Sequence, residues 1–194
     1  MPGVSEQGAR RYPRTFAGLI ASMIVLVVAV VGFWALNDGF HQHPERGAVA
    51  VDYRKTVAEL QKAGAPLAVI YPTSLPSGWT VTSADYTPQS GLGTSPAWSL
   101  GAVTEHHTFV GLRLEAASLN TLITTYVDKD ADKGGTTTVD TRFGDSWATY
   151  TDRGGDTGYA LTVGDDVLLV YGSADKADFT AFMRSLTSKR LAQP

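Results

Sequence analysis

The chain has 194 residues, of which 43% are hydrophobic and 18% charged, and its formal net charge is −3 at pH 7. This length suits one domain plus a short additional segment rather than two full domains. The chain has no cysteine, which excludes a disulfide framework, a cysteine nucleophile and a lipid attached through cysteine.

An uncharged stretch near the N-terminus begins at Thr15, ends at Leu36 and is bracketed by Arg14 and Asp38. As a helix it would be about 33 Å long, enough to cross a hydrocarbon core of about 30 Å. Its many Val and Ile residues do not prevent this, because a backbone in lipid must satisfy its own hydrogen bonds. The sequence therefore predicts a transmembrane helix over residues 15–36, with the lipid bilayer as the partner of this segment.

The positive charges around this helix predict its orientation. The basic residues that precede it are Arg10, Arg11 and Arg14. Because such residues stay on the cytoplasmic side, we expect residues 1–14 to form a cytoplasmic tail. Residues 37–48 are polar and aperiodic and read as a linker, and residues 49–194 are expected to form an extracytoplasmic domain. The protein would then be a single-pass protein of the plasma membrane.

A cleaved secretory signal is the alternative interpretation of the N-terminal stretch. The apolar region of such a signal is usually about 7–15 residues long and ends in a small-x-small cleavage site. Here the stretch is longer, and the bulky Phe33 and Trp34 stand near its end. These features favour an anchor that stays in the membrane.

The segment after Arg46 carries 12 basic and 16 acidic residues, a net charge of −4. No basic stripe runs along it, which argues against nucleic acid as a partner.

Hydrophobic periodicity predicts the elements of this domain. Apolar residues at helical spacing predict helices over residues 51–63, 119–126 and 175–186. Ser118 is the expected N-cap of the second helix, and Ser173 or Asp175 that of the third. Strands are predicted over residues 68–71, 79–86, 97–103, 108–116, 146–151, 159–163 and 167–171.

The order of these elements predicts an α+β fold. The last three strands before the second helix and the three strands before the third suggest two tandem β-β-β-α units. We expect a largely antiparallel sheet with both closing helices packed on one face. Trp79, Trp98 and Trp147 would be the large side chains of the core.

Several short motifs follow the apolar helix in a recognisable order. They are VDY at 51–53, LPSGW at 75–79, TSADYTP at 82–88, W-x-L-G at 98–101, FVGL at 109–112, G-x-x-W at 144–147 and VLLVYGSA at 167–174. With the basic tail, this pattern resembles an actinobacterial family of single-pass membrane proteins with a domain of unknown function (DUF4245). The resemblance spans roughly residues 11–186. It implies a location in the cell envelope and supplies no catalytic residues.

One run has the spacing of metal ligands. Asp128, Asp130 and Asp132 alternate as in the first half of a calcium-binding loop. The sixth position holds Lys133 instead of glycine, and the twelfth holds Val139 instead of a bidentate glutamate. A solvated loop after the second helix is therefore the favoured interpretation, and neither a metal nor another cofactor is expected.

The sequence shows no constellation typical of catalysis. A G-x-S-x-G motif is absent, although a catalytic group assembled from distant residues stays open as a hydrolase hypothesis. The sequence favours a non-enzymatic envelope module that binds a protein or another envelope component. The alternative is a carrier or sensor of a small apolar or lipid-like ligand, such as a lipid or glycan fragment. Trp98 and Tyr150 would lie at the rim of such a ligand or partner surface.

Overall fold

The computed structural model describes residues 49–90 and 95–191. The chain divides into two units, Met1–Arg46 and Gly47–Pro194, and every described residue belongs to the second. The predicted cytoplasmic tail, transmembrane helix and linker lie outside the described residues. In the described ranges, no helix has both the length and the apolar character needed to cross a bilayer.

The described residues form three helices and nine strands. The helices are α1 (Tyr53–Ala63), α2 (Leu119–Tyr126) and α3 (Lys176–Ser185). The strands of the first half are β1 (Tyr71–Pro72), β2 (Thr80–Thr87), β3 (Ala97–Val103) and β4 (Phe109–Glu115). Those of the second half are β5 (Asp132–Thr138), β6 (Ser146–Thr151), β7 (Thr157–Val163), β8 (Asp166–Gly172) and β9 (Leu186–Thr187).

Seven strands form one sheet in the order β2-β3-β4-β8-β7-β6-β5, and every neighbouring pair is antiparallel. Two meanders, β2-β3-β4 and β6-β7-β8, meet at the β4–β8 pair in its centre. Strands β1 and β9 form a separate two-stranded sheet. The predicted α+β class with an antiparallel sheet is confirmed.

Each helix begins at a side chain that accepts a hydrogen bond from its first turn. Asp52 accepts from the backbone N–H of Lys55, Ser118 from that of Thr121, and Asp175 from that of Asp178. These caps satisfy N–H groups that have no partner within the helix. The observed bounds of α2 are those predicted. Helix α1 begins two residues later than predicted, and α3 is one residue shorter at each end.

Strand β8 is buried on both faces of the sheet. Leu168 and Val170 belong to the main core, together with Phe179 and Phe182 of α3. Leu169 lies on the opposite face, where it packs in a second cluster with Leu122 and Ile123 of α2. Helix α1 contributes Val57 to the main core, so α1 and α3 cover one face and α2 covers the other.

The prediction that both closing helices share one face is therefore wrong. The physical reason is the unbroken apolar run of β8, which requires cover on both sides. Strand β5, which begins at the end of the run predicted as a solvated loop, also lies between the two β-β-β-α stretches. The two stretches occur in the predicted order, but the structure does not show them as equivalent units.

Gly172 turns the chain from β8 toward the α3 face. Its φ is +138°, and a Cβ built there would lie 2.2 Å from the carbonyl oxygen of Phe109. Only glycine fits a backbone at this angle and this close to a neighbouring strand.

The substitution Gly172→Ala should lower the free energy of unfolding by about 3 kcal/mol or more, because strain and a backbone clash add. Urea unfolding of the variant measures this loss. Gly164→Ala is the matched control, since Gly164 also has a positive φ but has no atom within 4 Å of the added Cβ. It should lose only about 1 kcal/mol. An equal loss of unfolding free energy in the two variants would show that Gly172 does not lie this close to the carbonyl oxygen of Phe109.

Candidate functional site

Helix α2 packs against the middle strands of its face of the sheet. Leu122 and Ile123 contact a cluster formed by Ala160, Val167 and Leu169 of β7 and β8. Gly158 lies directly below the helix end, where a Cβ would come within 2.7 Å of Val127. The absence of a side chain at Gly158 lets α2 sit close to the sheet.

A cluster of rings and charges holds the C-terminal end of α2. The ring of Tyr126 lies 5.2 Å from that of Tyr171, and the guanidinium of Arg113 lies 5.3 Å from the centre of the Tyr126 ring. Arg113 donates from Nε and Nη2 to one carboxylate oxygen of Glu115, at 2.9 and 2.7 Å. The two charged side chains are only 15% and 22% exposed. Stacking and a charge-assisted hydrogen bond therefore fix the helix end on β4 and β8.

The side of α2 that faces β5 and β6 is open. One row of paired residues crosses this part of the sheet from Leu169 through Ala160 and Ala148 to Thr136. Leu169 and Ala160 are buried under α2, Ala148 is half-buried and Thr136 is exposed. Helix α2 therefore covers this face of the sheet only as far as β6.

Two adjoining grooves, of about 330 and 320 Å³, lie along this open side, and Leu119 of α2 lines both. The first has a floor of short side chains that includes Thr136, Ala148 and Ala160. The second runs along α2 past Thr124 and ends at Asp128, Lys129 and Tyr150. We call the two grooves together the α2 trough.

The strands that α2 leaves uncovered span about the width of one further helix. Neighbouring strands lie about 4.8 Å apart and packed helices about 8–10 Å apart, so one helix covers about two strands. Helix α2 covers β7 and β8, which leaves β5 and β6 uncovered on this face. Short side chains on these strands, such as Ala148, would allow a close approach of a packed segment.

A third groove, of about 360 Å³, lies between the end of α1 and the C-terminal segment. Leu60, Gly64, Leu67, Ser188 and Arg190 are among its lining residues. Like the α2 trough, it is an open surface cleft and not an enclosed cavity.

Residues 11–186 match the family described as protein of unknown function (DUF4245). The chain belongs to this family. The resemblance inferred from the short motifs is thereby confirmed at the level of the family. No curated protein matches the sequence.

A solved structure described as the crystal structure of MucB in complex with MucA(peri) is similar to this DUF4245 chain with a TM-score of 0.35 and 13% sequence identity. The match covers 61% of this chain and 35% of the MucB chain. The aligned region therefore spans about a third of MucB. A similarity of this size establishes neither a common fold nor a function.

The two predicted surface residues of this DUF4245 domain lie in different environments. Tyr150 is half-buried and lines the end of the α2 trough. Trp98 is 0% exposed, and its ring N–H donates to the carbonyl of Ile70 at 2.7 Å. Trp98 therefore belongs to the core and not to the rim of a surface site, because its long apolar ring is buried where its one donor finds a partner.

The alternating carboxylates of the DUF4245 domain do not converge. Asp128 lies at the end of the trough and accepts a hydrogen bond from the backbone N–H of Asp130 at 2.7 Å. Asp132 begins the exposed strand β5. Within the part of the chain that the structure describes, no group of three or more His, Asp or Glu residues is placed to hold a metal ion.

Sequence reasoning missed most of the trough residues. Leu119, Ala148 and Thr136 carry no chemical signature, and they form a site only because α2 lies on the opposite face from α1. The run VLLV in β8, which indicates burial on both faces, was the signal that could have located α2.

Alkaline pH should destabilise the domain partly through Tyr171. Burial, and next the nearby Tyr126, raise the pKa of Tyr171 above its ordinary value of 10.0, and Arg113 lowers it. The pKa of Tyr171 is therefore higher in the folded state than in the unfolded state. Its contribution to stability is fully present below the unfolded-state pKa and is lost as the pH rises through the folded-state pKa. The unfolding free energy should therefore fall as the pH rises above about 10, the ordinary pKa of tyrosine, and Tyr171→Phe should make this fall less steep. An unchanged slope in the variant would show that Tyr171 titrates as if it were exposed.

Proposed function

We propose that this protein is a single-pass protein of the plasma membrane whose C-terminal domain lies outside the cytoplasm and binds a protein partner without catalysing a reaction. The uncharged residues 15–36 and the arginines before them support the tether and its orientation. A tether of this kind holds a binding surface close to the membrane and raises its effective concentration for partners there.

The observation that carries the proposal is the α2 trough. A sheet face that is half covered by one helix leaves apolar and short polar side chains beside that helix. The trough lies over two strands that α2 leaves uncovered, about the width that one helix covers. Leu119, Thr136 and Ala148 are among its lining residues. An amphipathic helix from a partner would lay its apolar face here in the helix-in-groove mode of recognition.

The lining of the trough suits packing better than proton transfer. Thr, Ser, Ala and Leu side chains make up most of it, and the charged groups are Asp128 and Lys129 at one end. General acid–base catalysis needs a titratable group within hydrogen-bond reach of a reacting atom held in a cleft. A lining dominated by hydroxyl and methyl groups favours a binding role.

The grooves also favour a partner over a small apolar ligand. A site for a small molecule buries about 70–90% of the ligand surface in a concave cavity. The three grooves described above are open surface clefts. Side chains such as Phe179 fill the interior on the α3 face of the sheet, and Leu122 and Ile123 fill it on the α2 face.

The proposal can be tested by photocrosslinking in cells that express the full chain. A photoreactive amino acid at Thr124, an exposed residue in the wall of the trough, should form a crosslink to one defined partner band. The same group at Ala177, which is exposed at the start of α3 on the other face, should not form it.

The substitution Ala148→Arg should abolish the Thr124 crosslink, because a long charged side chain would fill the floor of the trough. Ala181→Arg is the matched control, since Ala181 is exposed on α3, and it should leave the crosslink intact. A crosslink that survives Ala148→Arg while the variant stays folded would contradict the trough as the binding site. A crosslink only to lipid or glycan would show that the trough binds an envelope component of that class and not a protein.

A further inference from the structure

The charges of the described domain are strongly segregated. Residues 51–72 and 184–191, which contain α1, β1, β9 and the C-terminal segment, carry six basic and two acidic side chains. The basic ones are Arg54, Lys55, Lys62, Arg184, Lys189 and Arg190, and all six are exposed. The remaining described residues carry six basic and fourteen acidic side chains. The first group therefore has a net charge of +4 and the rest of the domain −8.

Hydrogen bonds join α1 and the C-terminal segment into one surface. The side-chain N–H of Gln61 donates to the carbonyl of Lys189 at 3.1 Å, and its side-chain carbonyl accepts from the backbone N–H of Leu191 at 2.9 Å. The guanidinium of Arg190 donates to the backbone carbonyl of Gln61 at 3.0 Å. The hydroxyl of Tyr71 donates to the backbone carbonyl of Lys189 at 2.7 Å. These contacts hold Lys189 and Arg190 beside the end of α1 that carries Lys62, and we call the surface formed by α1 and the C-terminal segment the basic surface.

The basic surface also contains the third groove. Arg190 and Ser188 line it beside the apolar Leu60 and Leu67. A cation and a hydroxyl next to apolar side chains match the chemistry of a phospholipid at the membrane surface, where a charged phosphate adjoins hydrocarbon.

The place of α1 in the chain puts it within reach of one source of anions, the headgroups of the membrane that holds the anchor. Helix α1 follows the uncharged stretch that ends at Leu36, and an extended chain over residues 37–52 reaches at most roughly 55 Å. This length lets the domain reach the bilayer surface, and within about one Debye length of that surface anionic headgroups attract the basic residues and repel the acidic remainder of the domain.

We propose that the basic surface docks on anionic phospholipid headgroups of the membrane that holds the anchor. This inference rests on the tether in the proposed function. Because α1 and α2 lie on opposite faces of the sheet, docking through α1 orients the α2 trough away from the bilayer. The membrane would then present the trough to a partner.

The test uses the full chain in phosphatidylcholine vesicles with and without phosphatidylglycerol. The chain has no cysteine, so a single fluorophore can be placed at Ala58→Cys on α1, with Thr162→Cys on β7 as the reference position. A quencher on the lipid headgroups should quench the Ala58 probe in phosphatidylglycerol vesicles at low salt. It should quench far less in phosphatidylcholine alone, and little at the Thr162 position.

The double variant Lys62→Glu and Lys189→Glu should lower the ratio of docked to undocked domain by roughly 100-fold or more, since each basic charge contributes about a five-fold factor. The matched control, Lys133→Glu and Lys176→Glu, makes the same net change at exposed residues away from the basic surface and should keep the quenching. Equal quenching in both lipids, or equal loss in both double variants, overturns the proposal.

Flotation of the vesicles at high salt separates this result from a failure of the tether. An anchored chain floats with the vesicles at high salt, whereas an unanchored chain does not. If the chain does not float, the tether is refuted. The salt-sensitive binding of the unanchored chain to phosphatidylglycerol vesicles would then still show whether the basic surface binds lipid.

Discussion

The apolar side chains of Val167, Leu168, Leu169 and Val170 stand in succession in β8, and each is at most 9% exposed. Successive residues of a strand point to opposite faces, so both faces of the sheet must be covered at its centre. Helix α3, with α1, covers one face, and the short helix α2 covers the other. The opposite placement of α1 and α2 follows from this requirement.

Both proposed surfaces arise from this arrangement. Because α2 has only eight residues and covers about two strands, it leaves the trough over β5 and β6. Because α1 lies on the other face and joins the C-terminal segment through Gln61, the basic residues gather on the side away from the trough. One sheet thus separates a surface suited to anionic lipid from a surface suited to a protein helix.

The sequence allowed local structure to be predicted better than packing. The N-cap Ser118 and the bounds of α2 are set by residues close in sequence, and the structure confirms both predictions. The side on which α2 packs, and the strand β5 with its two glycines, depend on distant contacts. For the same reason Tyr150 lies in the trough, whereas Trp98, an equally plausible aromatic by sequence, is enclosed in the core.

The most direct test of this account compares Leu168→Ala with Leu169→Ala by urea unfolding. These neighbours face opposite sides of the sheet, and both are fully buried. If α2 covers the second face, each substitution should lower the unfolding free energy by about 2–5 kcal/mol. If Leu169→Ala costs less than about 0.5 kcal/mol, as at an exposed position, α2 does not pack there. The trough would then not exist.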